Sequence, residues 1–548
     1  MIERSGRYAS GRANGRRWWF PNCHIAAGIM AGALWAAAPA QSAPAPQLEF
    51  TPEQITLAEA VAGRPGLAAF YGAHALAPVF TGPQAAGRRQ ALIAAVARAP
   101  GHGLPPARYE RGDLAARDAA GANGIADEVA FAEVFARWAH DVEGGLVDPG
   151  KLGHGNHRTV QRSDLDDLLD RFVGAADPRQ VLASIEPRDP RYLALQDALA
   201  SQSRLFAPPG TVEVPPGLMK PGSSGPQVAA LRTRLASIGF ASDGGDFYDE
   251  PLAQAVRAYQ ASAGLGPDGV AGPRTVKMLN RRAGPRSRAL LIALERMRWL
   301  NGHDLGARHV WVNLPEFNAR IVSHGRTEFV TRVVVGKTDP EMQTPEFSDQ
   351  MEHLEVNPRW NVPRSIAVKE YLPRLQANRN AASHLDVVDG AGRIVKRANI
   401  DFGRYTPATF PYRLRQKSGD DNALGEVKFI FPNPWNIYLH DTPTKGLFGE
   451  STRAFSHGCV RVARPAELAN ALLQGQVDDP ARTYDRAIAS GKETWLPLKP
   501  TIPVHLVYFT TFPDETGAIR SYPDIYGRDA SVWDALVKAG LENDGGEG

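Results

Sequence analysis

Phe455-Ser456-His457-Gly458-Cys459-Val460-Arg461 is the stretch on which the reading of this chain turns. The chain holds two cysteines, and the other, Cys23, falls in a segment written like an export signal. A lone thiol in an exported protein has no partner for an internal disulfide and is open to oxidation, so its retention calls for a chemical reason. A free cysteine can be merely a small buried apolar side chain. Here the neighbours argue otherwise. Gly458 allows a positive φ and a close backbone approach. Val460-Arg461-Val462 alternates like a strand, which places Arg461 on the same face as Cys459. Upstream, Asn436-Ile437-Tyr438-Leu439-His440 reads as a second strand ending in an imidazole, followed by Asp441-Thr442-Pro443.

A thiol with a pKa of about 8.5 is only slightly ionised at neutral pH, so a nucleophilic cysteine wants an imidazole or positive dipoles beside it. His440 is the candidate base: it would take the thiol proton and return it to a leaving amine. The amides around Gly458 and Cys459 are candidate oxyanion donors, with Ser456, His457 and Gly458 supporting the loop. Arg461 would hold a substrate carboxylate or brace the loop. His457 stays open between a structural hydrogen bond and a catalytic role. Zinc competes for His440, His457 and Cys459. No fourth ligand stands at short spacing, and no H-E-x-x-H or C-x-x-C accompanies them, so no metal and no other cofactor is assigned.

The text around this pair is β. Val310-Trp311-Val312-Asn313, Ala319-Arg320-Ile321-Val322, Phe329 to Gly336, Val427 to Phe431 and Val504 to Phe509 alternate or are β-branched. Hairpin breaks stand at Pro315-Glu316 and His324-Gly325. Short strands at this spacing predict a sandwich- or barrel-like domain, set at 305–512. Between Arg364 and Leu424 the pattern lapses into a charged insertion with a helix over Val368 to Leu375. Set at 366–424, it reads as a lid over a groove. A C-terminal extension, 513–548, follows.

Towards the N-terminus the chain changes character. Arg4, Arg7, Arg12, Arg16 and Arg17 come first, then a soft apolar stretch from Ile25 to Ala38 and Ala38-Pro39-Ala40-Gln41. That order is a secretion signal, assigned to 1–40, and predicts a periplasmic protein, or an inner-membrane-anchored one if the signal is kept. Residues 48–207 recur in Ala and Leu at helical spacing, and Val129 to Val142 runs to a stop at Gly144-Gly145, the mark of a helical scaffold. His140 and Asp141 read there as a solvated helix end. Past Pro208-Pro209-Gly210 and Pro215-Pro216-Gly217, residues 219–281 form a three-helix unit with apolar Val228, Leu231, Leu235 and Ile238. It is small enough to suit an appended binding module. Ser287 to Leu300 is then a helical connector. A formal charge of +3, with arginines spread along 548 residues, gives no field for nucleic acid, which is excluded as a partner.

Val335-Gly336-Lys337, Thr344-Pro345, Phe347-Ser348, Asn357-Pro358-Arg359-Trp360-Asn361-Val362-Pro363-Arg364-Ser365-Ile366, Phe431-Pro432-Asn433 and Ile437 to Pro443 join the Ser456 to Arg461 signature. Together they resemble the L,D-transpeptidase family. The glycine, DGV and YQ punctuation of 219–281 resembles the peptidoglycan-binding domain of bacterial wall hydrolases. The family's large form, with helical scaffold, binding module and lidded catalytic domain, is similar to nearly the whole mature length. The resemblance implies a multidomain α+β protein with a β-sandwich-like catalytic domain. It implies that Cys459 attacks the carbonyl of the diaminopimelate L-centre in a tetrapeptide stem and expels D-Ala. The thioester then passes to the side-chain amine of a second stem, giving a 3-3 cross-link. It further implies that carbapenems acylate the same cysteine, and that peptidoglycan stem peptides are the partners, with other cell-wall enzymes as further candidates. Tyr438, Trp360 and Asn361 are candidate groove residues. An outer-membrane protein amine or water as acceptor keeps the same chemistry. A non-catalytic wall-binding protein is the alternative of another class, opposed by the retention of both His440 and Cys459. Acceptor and oligomeric state are not legible.

Overall fold

Helix Ile125–Gly144 is the axis of the N-terminal layer, and its sequence explains why. Phe131, Phe135, Trp138 and Val142 recur every three to four residues, are fully buried, and pack towards Phe80 and Phe172. Glu128 in its first turns is buried as well. It accepts from the N–H of Val79 (2.7 Å), Phe80 (2.8 Å) and Thr81 (2.8 Å), and from the Tyr71 hydroxyl (2.5 Å), so the preceding loop is pinned to the helix. The helix stops at Gly145, φ +88°, where a Cβ would come within 2.5 Å of the Glu295 carboxylate. The expected solvated end is only half right. His140 is exposed, but Asp141 is fully buried, because Arg108 (3.1 Å) and the Tyr109 hydroxyl (2.9 Å) wait for it on the neighbouring helix Ala107–Glu110.

The computed structural model describes residues 50–541 apart from 111, 154, 204–211, 264 and 281–284. The expected signal at 1–40 with Cys23, the linker Pro208-Pro209-Gly210 and the motif residue Gly264 lie outside them. The small module has helices Pro226–Ser237, Glu250–Ser262 and Pro273–Leu279 around Val228, Leu231, Leu235, Val256, Tyr259 and Leu279. Asp249 caps the second helix through Leu252 N–H (3.0 Å). Gln260 accepts from Gly269 N–H (2.9 Å) and donates to Val270 O (3.0 Å), closing the DGV turn at a glycine with φ +74°.

The helix expected as a connector, found at Pro285–Arg298, is a core element. Glu295 and Arg298 are buried together at 2.6 Å, and Glu295 also accepts from Val147 N–H at 2.8 Å. Leu290, Leu294 and Met297 share one apolar cluster with Tyr192 and Leu195 of the scaffold and with Trp311 and Phe509 of the catalytic domain. A linker would leave that helix wet; here it glues two domains.

The catalytic domain has strands β1 Arg308–Asn313, β2 Asn318–Ser323, β3 Arg326–Gly336, β4 Phe347–Val356, β5 Trp360–Asn361, β6 Leu385–Val388 and β7 Arg413–Gln416. It continues with β8 Val427–Ile430, β9 Leu439–His440, β10 Ala454–Ser456, β11 Val460–Val462 and β12 Thr494–Val507. The main sheet runs β10-β3-β11-β9-β8-β4-β12-β1-β2, and β2 pairs again with β3, so the sheet folds over and closes around its core. The architecture is the multidomain α+β one expected, with a sandwich-like sheet domain. Val310, Val312, Ile321, Val333, Leu354 and Phe429 fill the inside. The inserted lid is a separate small unit, sheet β5-β7-β6 over Val362, Leu372, Leu375, Phe402 and Leu414. It begins at Trp360 rather than 366, because Trp360 and Asn361 pair with Gln416 and Arg415. β9 is shorter than the expected strand. Asn433 ties the preceding residues into a turn, accepting from Ile437 N–H (3.1 Å) and donating to Ile437 O (2.7 Å), and Asn436 sits at φ +55°. After β12 the chain makes a hairpin, Thr511–Pro513 with Ile519–Ser521. Helix Arg528–Lys538 follows, and its Val532 and Leu536 pack on Ile292 and Trp299.

Candidate active site

β9 and β11 lie side by side and parallel, with Leu439 opposite Val460 and His440 opposite Arg461. Cys459, one residue before β11, therefore comes level with Tyr438. Side chains alternate along a strand, so Cys459, Arg461, Tyr438 and His440 share one face. Cys459 and His440 are diagonal neighbours, with Cα atoms about 7 Å apart by strand geometry. No hydrogen bond joins them directly; the thiol S–H points at Asn436 O, 3.6 Å away. The row continues onto the next strands. Lys428 stands opposite His440, and Glu355 opposite Lys428, closing an ion pair of 2.7 Å. The Lys428 ammonium lies 4.8 Å from the centre of the Tyr438 ring, which meets the His440 ring edge-on at 5.6 Å.

The turn carrying the cysteine is held from within. Gly458 has φ +108°, and a Cβ there would meet Ile437 Cδ1 at 3.1 Å. The Ser456 hydroxyl accepts from Gly458 N–H (3.1 Å) and donates to Cys459 O (2.5 Å). Thr344 Oγ1 donates to Gly458 O at 2.7 Å. The Gly458 amide is thus committed and is no oxyanion donor, contrary to expectation. Cys459 N–H takes part in none of the turn's hydrogen bonds.

Electrostatics set the resting protonation. His440 is 4% exposed and its Nδ1 donates to the Asp441 carbonyl. A carbonyl oxygen only accepts, so Nδ1 carries the proton and Nε2 keeps the lone pair. Burial pulls the imidazole down to about 3; Arg461 and Lys428 add to this, and the Asp441 carbonyl opposes it. Burial pushes the Cys459 thiol up, while Tyr438, through its backbone and its hydroxyl, and Lys428 and Arg461 hold it down. The resting site therefore pairs a neutral thiol with a neutral imidazole.

The remaining expected residues sort clearly. Arg461 is half-buried beside Cys459, and its Nε, buried, has no hydrogen-bond partner. His457 turns away from His440: its Nε2 donates to Glu370 of the lid at 2.5 Å. Trp360 packs edge-on to Tyr371 within the lid at 6.3 Å, and Asn361 is exposed on the same strand. No hydrogen bond or ring contact joins either to Cys459 or His440. Sequence reasoning quoted Thr344 in a motif without a role and missed Lys428, Glu355, Glu370 and Trp435, the last 36% exposed and stacked on His157 of the scaffold at 4.2 Å. Only Lys428 carried a signal, a cation at an alternate position in a strand ahead of the Tyr-Leu-His run. Among the described residues no His/Cys/Asp/Glu group is arranged to hold a metal ion.

Residues 307–482 match the family described as L,D-transpeptidase catalytic domain. Over those residues the chain carries an L,D-transpeptidase catalytic domain. Beside that domain, residues 65–199 match a scaffold domain and 224–279 a "Putative peptidoglycan binding domain". A similar protein is the "Putative L,D-transpeptidase" of Haemophilus influenzae, 36% identical over 239 residues, which are 42% of this chain and 47% of that one. The chain thus spans about half the length of this L,D-transpeptidase relative. N-acetylmuramoyl-L-alanine amidase CwlL of Bacillus licheniformis is 43% identical over 67 residues, 11% of this chain and 18% of its own. Among solved structures, an L,D-transpeptidase from Xylanimonas cellulosilytica is 17% identical with a TM-score of 0.14, covering 55% of this chain and 100% of its own. At that TM-score the likeness does not bear on the fold.

Proposed function

We propose that this protein is an L,D-transpeptidase that forms 3-3 cross-links between peptidoglycan stems through a thioester on Cys459. Sγ bonds to the carbonyl carbon of the diaminopimelate L-centre while the thiol proton passes to His440 Nε2. The oxyanion formed faces Cys459 N–H, the unengaged amide of the turn. Collapse breaks the C–N bond, and the His440 proton leaves with the D-Ala amine. A second stem's side-chain amine then attacks the thioester, gives its proton to Nε2, and the departing sulfur takes it back. Arg461, charged and unpaired at Nε, holds a stem carboxylate. Ser456 steadies the turn, and the small helical module keeps the enzyme on its polymer. On this reading the protein works in the periplasm, and a carbapenem labels the same sulfur.

One observation carries the reading: Cys459 and His440 share a face on neighbouring parallel strands, with the imidazole's lone pair fixed on Nε2. The test is incubation of full-length protein with tetrapeptide muropeptides and mass spectrometry of the products. Dimers joined through diaminopimelate, absent with Cys459→Ala, are the expected result. Tripeptides with free D-Ala and no dimer would make water the acceptor. Dimers that persist in Cys459→Ala overturn the mechanism.

A further inference from the structure

Thr344, fully buried, uses its hydroxyl twice: Oγ1 accepts from Gly336 N–H at 2.9 Å and donates to Gly458 O at 2.7 Å. Its loop is pressed onto the end of β3 so closely that a Cβ on Gly336 would sit 2.1 Å from Met342 O. What holds Thr344 there comes from far along the chain. The Tyr526 hydroxyl donates to Gly336 O at 2.7 Å and accepts from Thr344 N–H at 3.3 Å. Its ring stacks on Tyr508 at 5.7 Å, and the Arg528 guanidinium lies 4.9 Å and 4.8 Å from the two ring centres. Arg528 also donates to Thr344 O (3.0 Å) and to the buried Glu346 carboxylate (3.0 Å). Asp524 closes the unit, accepting from the Tyr508 hydroxyl (2.5 Å) and from Arg528 N–H (2.9 Å).

The consequence follows from the planar trans peptide. The carbonyl of Gly458 and the N–H of Cys459 belong to one rigid unit and point in opposite directions. Whatever holds Gly458 O therefore also aims Cys459 N–H. The other polar group of Gly458 is already taken by Ser456, so Thr344 is the remaining handle on that peptide.

We propose that Tyr526, in the C-terminal extension, is a positioning residue of the transpeptidase reaction: through Thr344 it holds the Gly458 carbonyl and so aims the Cys459 amide at the oxyanion. This rests on the function proposed above and adds residues that lie beyond 482, where the match to the catalytic domain ends. Aiming the Cys459 amide matters to rate only where negative charge develops on a carbonyl oxygen. It has no part in reactions of the sulfur that form no oxyanion.

That difference supplies the test. In the full-length protein, Tyr526→Phe removes the hydroxyl and keeps the stacked ring, Thr344→Val removes the donor to Gly458, and Thr344→Ser restores it. Two rates are measured: single-turnover acylation of Cys459 by a tetrapeptide donor, followed by mass spectrometry, and alkylation of Cys459 by iodoacetamide, a displacement without an oxyanion. The expected result is an acylation rate about tenfold or more lower in Tyr526→Phe and Thr344→Val. KM and alkylation stay within twofold, and Thr344→Ser recovers acylation to within threefold of wild type. Acylation of Tyr526→Phe within twofold of wild type overturns the proposal, and so does a parallel fall of acylation and alkylation. Wild-type protein that takes no acyl group from the donor instead overturns the function beneath it.

Discussion

Truncating Glu370 to alanine should unlatch the lid. Glu370 lies in the π-helical turn Ala367–Tyr371, and its carboxylate accepts a hydrogen bond from His457 Nε2–H at 2.5 Å, two residues from Cys459. With side chains 27% and 35% exposed, the pair is neither a surface contact nor a buried one. A charge-assisted hydrogen bond contributes about 1.5–3 kcal/mol when shielded and an exposed pair about 0.2–1 kcal/mol, so screening leaves about 1 kcal/mol here. That is a factor of about five in the population of open lid. The assay is the rate at which a bulky aromatic disulfide reagent reacts with Cys459, under conditions where lid opening is fast and reversible. Glu370→Ala should react about fivefold faster, and high salt should narrow the gap. Lys369, which reaches Glu341 from the same turn with side chains 57% and 71% exposed, serves as the internal control: Lys369→Ala should change the rate less than twofold. Equal rates for wild type and Glu370→Ala, or a larger effect from Lys369→Ala, would refute the latch.

Other outcomes follow from the same coordinates. Lys428→Met should shift the pH midpoint of Cys459 alkylation upward, because the ammonium helps hold the thiol down; an unchanged midpoint contradicts this. Gly336→Ala should cost about 3 kcal/mol, since the new Cβ meets two backbone atoms at 2.1 and 2.6 Å, and a thermal melt unchanged within a degree would count against it. Glu295→Gln strips the counter-charge from a fully buried Arg298 and should cost about 3–5 kcal/mol, read from denaturant midpoints. Acid should weaken the fold early. His440 and His505 are held down to about 3 and His102 to about 4, chiefly by burial, whereas an unfolded imidazole takes a proton near 6.5. The unfolded chain then binds more protons, so this stability is full above about pH 7 and drains as pH falls from 6.5 towards 4. Denaturation midpoints that stay flat from pH 7 to 5 would contradict the assignment.

The placement of the candidate pair was readable because its parts are local. Cys459 and His440 each sit in short alternating text, and alternation alone puts each on the face it occupies. The module's Val228, Leu231, Leu235 and Ile238 announce a helix face for the same reason, and all are buried. What escaped depends on pairings between distant segments. Nothing near Asp141 tells that Arg108 will cover it, nor near Glu370 that His457 lies opposite. The stretch Ser287 to Leu300 reads as a helical connector, but Glu295 and Arg298 face each other and disappear into the core. Trp360 resembles a groove residue by its neighbours in the text, but its strand pairs within the lid.

The sheet closes in an order unlike that of its chemistry. β12 inserts between β4 and β1 in the middle of the sheet, and it is the last of the nine strands along the chain. Cys459 and His440 are both made well before it. A growing chain that already contains nucleophile and base still has two unpaired strand edges, which invite pairing with whatever is near. Only when residues 494–507 slot between β4 and β1 is the sheet that carries the thiol complete. A nonsense codon or a protease cut shortly after the cysteine would therefore leave a sticky, unassembled half-barrel and not a weakened enzyme.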